Sequence, residues 1–203
     1  MWRLKFYSII NEVDNYITKS DTDFYQHVET LYKEILSLQL ELVDINREEG
    51  KYSQSHLITF ALAAYCDERL NIKAISSGYC YEMLQTQLFK TLEAGKVYYQ
   101  YLEYLVAQRS QIYIDTYWVY YYLLTHGYKG MYDSDNYFER SLYLRQLKIL
   151  LIDYTPLKLS IESPSIIKRI KDKLKRISLR VLGLVEVASF FCLICSYFII
   201  NYL

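Results

Sequence analysis

Few side chains in this 203-residue chain have the type and spacing to do chemistry. Asp67 and Glu68 arrive together in FALAAYCDERL, at what reads as the last turn of an apolar helix. The helix dipole disfavours negative charge at that end. Two readings stay open: a solvated helix end with Arg69 as partner, or an acidic pair held at the lip of a core helix to meet a basic partner. Cys192 and Cys195 form a C-x-x-C, a spacing that redox and metal sites use. Inside an apolar, lipid-facing helix they read instead as small packing residues. Four cysteines in all (Cys66, Cys80, Cys192, Cys195) are too few and too scattered for a disulfide framework. His27, His56 and His126 fall on different predicted helices without a nucleophile motif nearby. The chain has no phosphate loop, no H-E-x-x-H and no glycine-rich nucleotide fingerprint. These residues call for no catalytic site, no metal and no cofactor.

Charge is the stronger signal. Between Ser165 and Arg180 lie seven basic residues against the single acid Asp172. Residues 1–164 then hold 16 basic and 21 acidic side chains, a net of −5, although the whole chain is neutral. An acidic body on a basic neck argues against nucleic acid, which needs positive charge spread over a folded face. Directly after the neck comes a 23-residue, predominantly apolar segment, 181–203, with Glu186 as its one charge. As a helix it would cover about 34 Å, enough for a hydrocarbon core of about 30 Å with some tilt. The basic residues lie before this span and none follows it, so the N-terminal side belongs in the cytoplasm. Lys173, Lys175, Arg176 and Arg180 would meet anionic lipid headgroups. Glu186 sits six residues into the span, where it either snorkels to the interface or pairs with a basic group on another membrane helix. No signal peptide opens the chain: MWRLKFYSIINEVDNY is amphipathic and carries acids early. The sequence thus reads as a tail-anchored protein with its body in a reducing cytoplasm.

The elements that must position these residues are helices. Phe24, Val28, Leu31, Ile35, Leu38, Leu42 and Ile45 alternate steps of four and three and make one apolar stripe. Asp21 is a candidate cap for this helix and Gly50 its stop. In residues 53–71, Ser53 or Ser55 can cap, and from Leu57 to Cys66 only Thr59 is polar, so this helix is buried on nearly all sides. Gly95 breaks the pattern before a helix with Tyr98, Leu102 and Leu105 on one face. TYWVYYYLLTHG has strand propensity in WVYYY but ends like a helix, with His126 in its last turn and Gly127 just past it. Its aromatics read as core rather than base-stacking platforms, since no basic residue interrupts Tyr113 to Leu124. Asn136 and Glu139 can form a capping box for a last helix running to about Asp153. TPLKLSIESPS lacks helical period and reads as a linker. The expected organisation is an all-α body (1–164), a basic juxtamembrane neck (165–180) and a single transmembrane helix (181–203).

Four pieces in order, FALAAYCDERL (60–70), LQTQLFKTLEAGKVYYQYLE (84–103), DTYWVYYYLLTHGYKGMYD (115–133) and the closing apolar anchor, make a pattern. It resembles the TssL/DotU (IcmH) family, inner-membrane components of bacterial type VI and type IVB secretion systems. Asp67 and Glu68 match the family's acidic pair; Gly95, Tyr98 and Tyr99 match its second stretch; Gly127, Tyr128, Gly130 and Tyr132 match its third. Lys96 and Lys129 depart from the family by standing where Glu is common. The tryptophan often found after the acidic pair is missing, and so is a periplasmic extension, which would leave wall anchoring to a partner. The short chain and bare tail lean toward the type VI setting.

The resemblance implies a hook-like cytoplasmic domain of two packed helical bundles hung from the inner membrane, and a non-enzymatic role as scaffold. It implies a TssM/IcmF-like inner-membrane protein and cytoplasmic baseplate components as partners, with self-association partly through the anchor. It places the acidic pair near the cleft between the bundles, which favours partner binding by Asp67 and Glu68, with Lys96 and Lys129 altering the charge there. The rivals are a tail-anchored helical regulator that takes amphipathic partner helices in a groove, and a membrane-tethered enzyme.

Overall fold

The computed structural model describes residues 1–18, 23–46, 50–132 and 137–155. Among them the chain is all-α: α1 (Trp2–Thr18), α2 (Phe24–Asn46), α3 (Gln54–Ser77), α4 (Leu84–Phe89), α5 (Ala94–Gln108), a 3-10 turn (Gln111–Tyr113), α6 (Ile114–Thr125) and α7 (Tyr137–Tyr154). No helix among the described residues is long and apolar enough to cross a membrane. The linker from residue 156, the neck residues Lys173, Lys175, Arg176 and Arg180, and the 181–203 segment with Glu186, Cys192 and Cys195 lie outside the described residues. So do Asp21 and Asn136.

The centre of the fold is α3. Every residue from Leu57 to Asp67 is buried, as the run of small and apolar side chains requires. Thr59 joins them at no polar cost because its hydroxyl donates to the Ser55 carbonyl at 2.7 Å. This helix packs against α1, α2, α4, α5 and α6, while α6 and α5 pack against α7. It starts at Ser53, whose hydroxyl oxygen accepts from the His56 N–H, and ends at Gly78 in the left-handed region, φ 73°. The helix therefore runs past Asn71 for six more residues, with Leu70 and Ala74 continuing its buried face while Ile72 and Ile75 stand exposed. That corrects the placement of the acidic pair. Asp67 and Glu68 sit mid-helix rather than in the last turn, where the dipole argument has no force.

Two further expectations change for physical reasons. The α2 stripe is buried from Phe24 to Leu42, but Ile45 is 56% exposed. A seven-residue repeat drifts about 20° per heptad on a straight helix, so after three heptads Ile45 has turned off the packed face. The helix is capped by Asp23, whose Oδ1 accepts from the N–H groups of Tyr25 and Gln26. Gly95 does not break a helix either. The break falls between Lys90, which ends α4 at φ 56°, and Glu93, and Gly95 lies within the first turn of α5.

The tyrosines form core, as the sequence predicts. Tyr98, Tyr99, Tyr117, Tyr120 and Tyr128 are buried, and helix carbonyls take up most of their hydroxyls. Tyr98 donates to the Tyr120 carbonyl at 3.3 Å, Tyr120 to Leu57 at 3.4 Å and Tyr117 to Leu105 at 3.3 Å. Each ring supplies apolar area while its polar tip is satisfied across a helix interface. A second aromatic cluster joins α1 to α6, where Phe6 and Tyr7 meet Trp118 edge-on with centroids 5.6 Å apart.

Candidate functional site

The short helix α4 begins at Met83, which has no capping side chain. Its first backbone donors would be orphaned, and Asp67 of α3 supplies the acceptors. The Leu84 N–H donates to Asp67 Oδ1 at 2.9 Å and the Gln85 N–H to Oδ2 at 2.8 Å, with the Tyr81 hydroxyl adding a third bond at 3.3 Å. Asp67 is thus a remote N-cap, and it is only 4% exposed. Burial pushes its pKa from the ordinary 3.8 up to about 7, against the opposing pull of the Gln85 and Leu84 N–H groups and the Tyr81 hydroxyl.

Glu68 does the same service for the turn after α6. Its Oε2 accepts from the Gly130 N–H at 2.8 Å, and both of its oxygens lie 3.1 Å from the Lys129 N–H. The Lys129 carbonyl in turn accepts from the Tyr99 hydroxyl at 2.9 Å. Two glycines make this turn possible. Gly130 is at φ +59° under the rings of Tyr128 and Tyr99, and a Cβ on Gly95 would stand 3.0 Å from backbone atoms of Gly130 and Met131. The first turn of α5 and the GYKG turn therefore touch backbone to backbone.

Between these parts lies a cavity of about 160 Å³, walled by Ala64, Asp67 and Glu68 of α3, Gln85 of α4, Gly95 of α5 and Gly130. Of the four residues singled out as partner-binding, Asp67 and Glu68 form its wall. Lys129 does not line it; its backbone N–H holds Glu68 from behind the wall. Lys96 is exposed beside Gly95, its ammonium 3.6 Å from Glu93, and does not line the cavity. Arg69 feels the Glu68 charge but makes none of the described hydrogen bonds or ion pairs to the acidic pair. It turns to Asp14 at 3.3 Å and to the Tyr65 hydroxyl at 3.1 Å, in a cluster that His126 joins through Asp14 at 2.9 Å.

Sequence reasoning missed Gln85 and Tyr81. The available signal was local: a helix opening on Met83-Leu84-Gln85 without Ser, Thr, Asp or Asn needs an acceptor from elsewhere. The histidines occupy three separate places, His126 at Asp14, His27 3.4 Å from Glu12 and His56 3.1 Å from the Tyr101 hydroxyl. His56 borders a larger groove of about 680 Å³ with Leu40, Phe60, Phe89 and Tyr101. Burial, with the Lys51 charge, holds its pKa below the usual 6.5. No group of three metal-ligating side chains occurs among the described residues.

The family model described as type VI secretion system protein DotU matches residues 15–203. Among solved structures, DotU from Francisella novicida superimposes with a TM-score of 0.64 at 19% sequence identity, over 73% of this chain and 96% of that one. That likeness is one of fold. No curated protein matches.

Proposed function

This chain belongs to the DotU family of type VI secretion system proteins, and we propose that it serves such a system as a non-enzymatic scaffold joining the inner membrane to cytoplasmic components. In this reading residues 1–164 are the cytoplasmic body, a hook of two helical bundles that holds baseplate components. Lys173, Lys175, Arg176 and Arg180 rest on anionic lipid. Residues 181–203 cross the membrane once and pack against other membrane helices, among them further copies of this chain and a TssM/IcmF-like protein, with Glu186 as a contact.

One observation carries the reading. Residues from three separated sequence motifs wall a single cavity: Ala64, Asp67 and Glu68 from the first, Ala94 and Gly95 from the second, Tyr128 and Gly130 from the third. The same contacts that hold α4 and the GYKG turn bring these motifs around one opening, which gives a partner a surface built from all three. Within it Asp67 acts chiefly by holding α4, and Glu68 by holding the GYKG turn. Lys96 and Lys129 set the charge at the rim.

The test is recovery of partners from the native host in mild detergent, using the full-length chain beside one ending at Pro164. The scaffold reading predicts a large inner-membrane protein with the full-length chain, and cytoplasmic partners with both. Recovery of no membrane partner by either form would overturn it.

A further inference from the structure

Helix α7 is apolar on two opposite sides. Leu147 and Leu150 are buried, and Tyr143, Leu144, Leu151 and Tyr154 pack against the core beside them, on the side that meets α5 and α6. On the other side Phe138, Leu142, Ile149 and Ile152 are 42–70% exposed. With Arg145 between them they alternate steps of four and three, the repeat of a coiled-coil seam. At 3.6 residues per turn all five lie within about 40° of one line along the helix. They form a continuous strip, and contiguous exposed apolar surface marks a place where something docks.

The strip is built to meet a copy of itself. Phe138, Arg145 and Ile152 take d positions and Leu142 and Ile149 take a positions, which puts Lys148 at g and Asp153 at e. In a parallel pair a g residue faces the following e residue of the other helix. Lys148 of one copy thus meets Asp153 of the other, and two-fold symmetry makes the contact twice. Neither side chain takes part in an ion pair among the described residues, although Arg109 lines the small cavity beside Asp153. Direction agrees as well. The chain leaves α7 at Tyr154 and continues to residues 181–203. Parallel pairing lets two tails depart side by side, whereas antiparallel pairing would part them by up to about 27 Å, the length of this 18-residue helix.

We infer that α7 is a self-association surface that pairs in parallel with α7 of a second copy through Phe138, Leu142, Arg145, Ile149 and Ile152. This surface lies in the helical body and is separate from any contact through residues 181–203; the argument from the tails rests on the reading that those residues cross the membrane. The seam is short, and Arg145 sets two like charges in its central layer, where a polar residue fixes register at a cost in stability. The pair is therefore weak between free chains and closes when one membrane holds copies at an effective concentration on the order of millimolar.

The test is disulfide formation by the full-length protein in host membranes, with Cys80, Cys192 and Cys195 changed to serine and Phe138→Cys as the reporter. Cys66 is buried and stays silent. Two reporters meet in a parallel pair, whereas an antiparallel pair would set each against the second half of the other strip. A dimer yield at least tenfold above that of Leu92→Cys, an exposed position away from α7, supports the seam. Lys148→Glu should then lower the yield several-fold, and Lys148→Glu with Asp153→Lys should restore it. Arg145→Leu should speed dimer formation several-fold and Ile149→Asp should abolish it, with both variants melting as the parent does because these side chains are exposed. Equal yields from the two reporters, or no rescue by the double reversal, overturns the inference; cover of the strip by another protein or by the chain's own residues 165–180 would give that result. A chain absent from the membrane fraction would fail the membrane reading instead, and the same yields in mild detergent still decide the seam.

Discussion

Replacing Asp67 with Asn changes one oxygen for one NH₂ and nothing in volume. The carboxylate accepts from two backbone N–H groups, Leu84 at 2.9 Å and Gln85 at 2.8 Å. An amide accepts through one end only, so one of these buried donors faces another donor. That costs about 1–3 kcal/mol. The pH dependence separates this effect from any general loss of packing. Burial raises the folded-state pKa of Asp67 from 3.8 to about 7, so between those values the folded chain holds a proton that the unfolded chain releases. Stability of the wild type therefore falls as pH rises through this window. At about 1.4 kcal/mol for each tenfold change in proton affinity, the fall is about 4 kcal/mol. Below the window the neutral carboxyl still accepts through both oxygens. Asp67→Asn has no such titration. Its deficit should be about 2 kcal/mol near pH 4, pass through zero between about pH 5 and 6, and become an advantage of about 2 kcal/mol by about pH 7. The other carboxylates titrate alike in both proteins and cancel in the difference. The assay is urea unfolding of the full-length chain in detergent, followed by tryptophan fluorescence from Trp2 and Trp118 across that pH range. A deficit that grows with pH would refute the reasoning, because the three hydrogen bonds would then outweigh burial and the carboxylate would be held as an anion.

Three more expectations concern other parts of the chain. Gly95→Ala sets a Cβ 3.0 Å from the backbone of Gly130 and Met131, and backbone cannot swing aside, so a loss of about 1–3 kcal/mol is expected in the same unfolding assay. A neutral result would mean that the two segments do not touch in solution. His56 is held neutral by burial and Lys51, so its contribution is present above pH 6.5 and is lost as pH falls through its depressed folded value. His56→Gln should blunt that acid sensitivity relative to wild type in parallel pH titrations. Glu186→Leu should weaken association of full-length copies in native gels; unchanged association would make Glu186 an interfacial acid only.

The parts of this fold legible in the sequence were those fixed by local pattern. The stripe from Phe24 to Leu42, the saturated burial of Leu57 to Cys66, the Ser53 cap and the helical ending at His126 and Gly127 all follow from spacing and from residue type. What escaped was non-local. Nothing near Asp67 announces that its carboxylate caps a helix 17 positions later, and that bond explains why an acid can sit in the middle of the most buried helix. Gly95 reads as a helix breaker from sequence because the alternative, a backbone packed against Gly130, depends on a segment 35 positions away. The end of α3 was misplaced because exposed Ile72 and Ile75 obscure the thin buried face that Leu70 and Ala74 continue.

The central claim is that the cavity formed by α3, α4, α5 and the GYKG turn is where this DotU-family chain meets a partner. The most direct test is a photo-crosslinking amino acid at Asn71, on the cavity wall, in the full-length protein expressed in its own host. The account predicts an adduct between Asn71 and a cytoplasmic secretion component. Adducts with that component formed from Ile149 on the exposed face of α7, with none from Asn71, would contradict it.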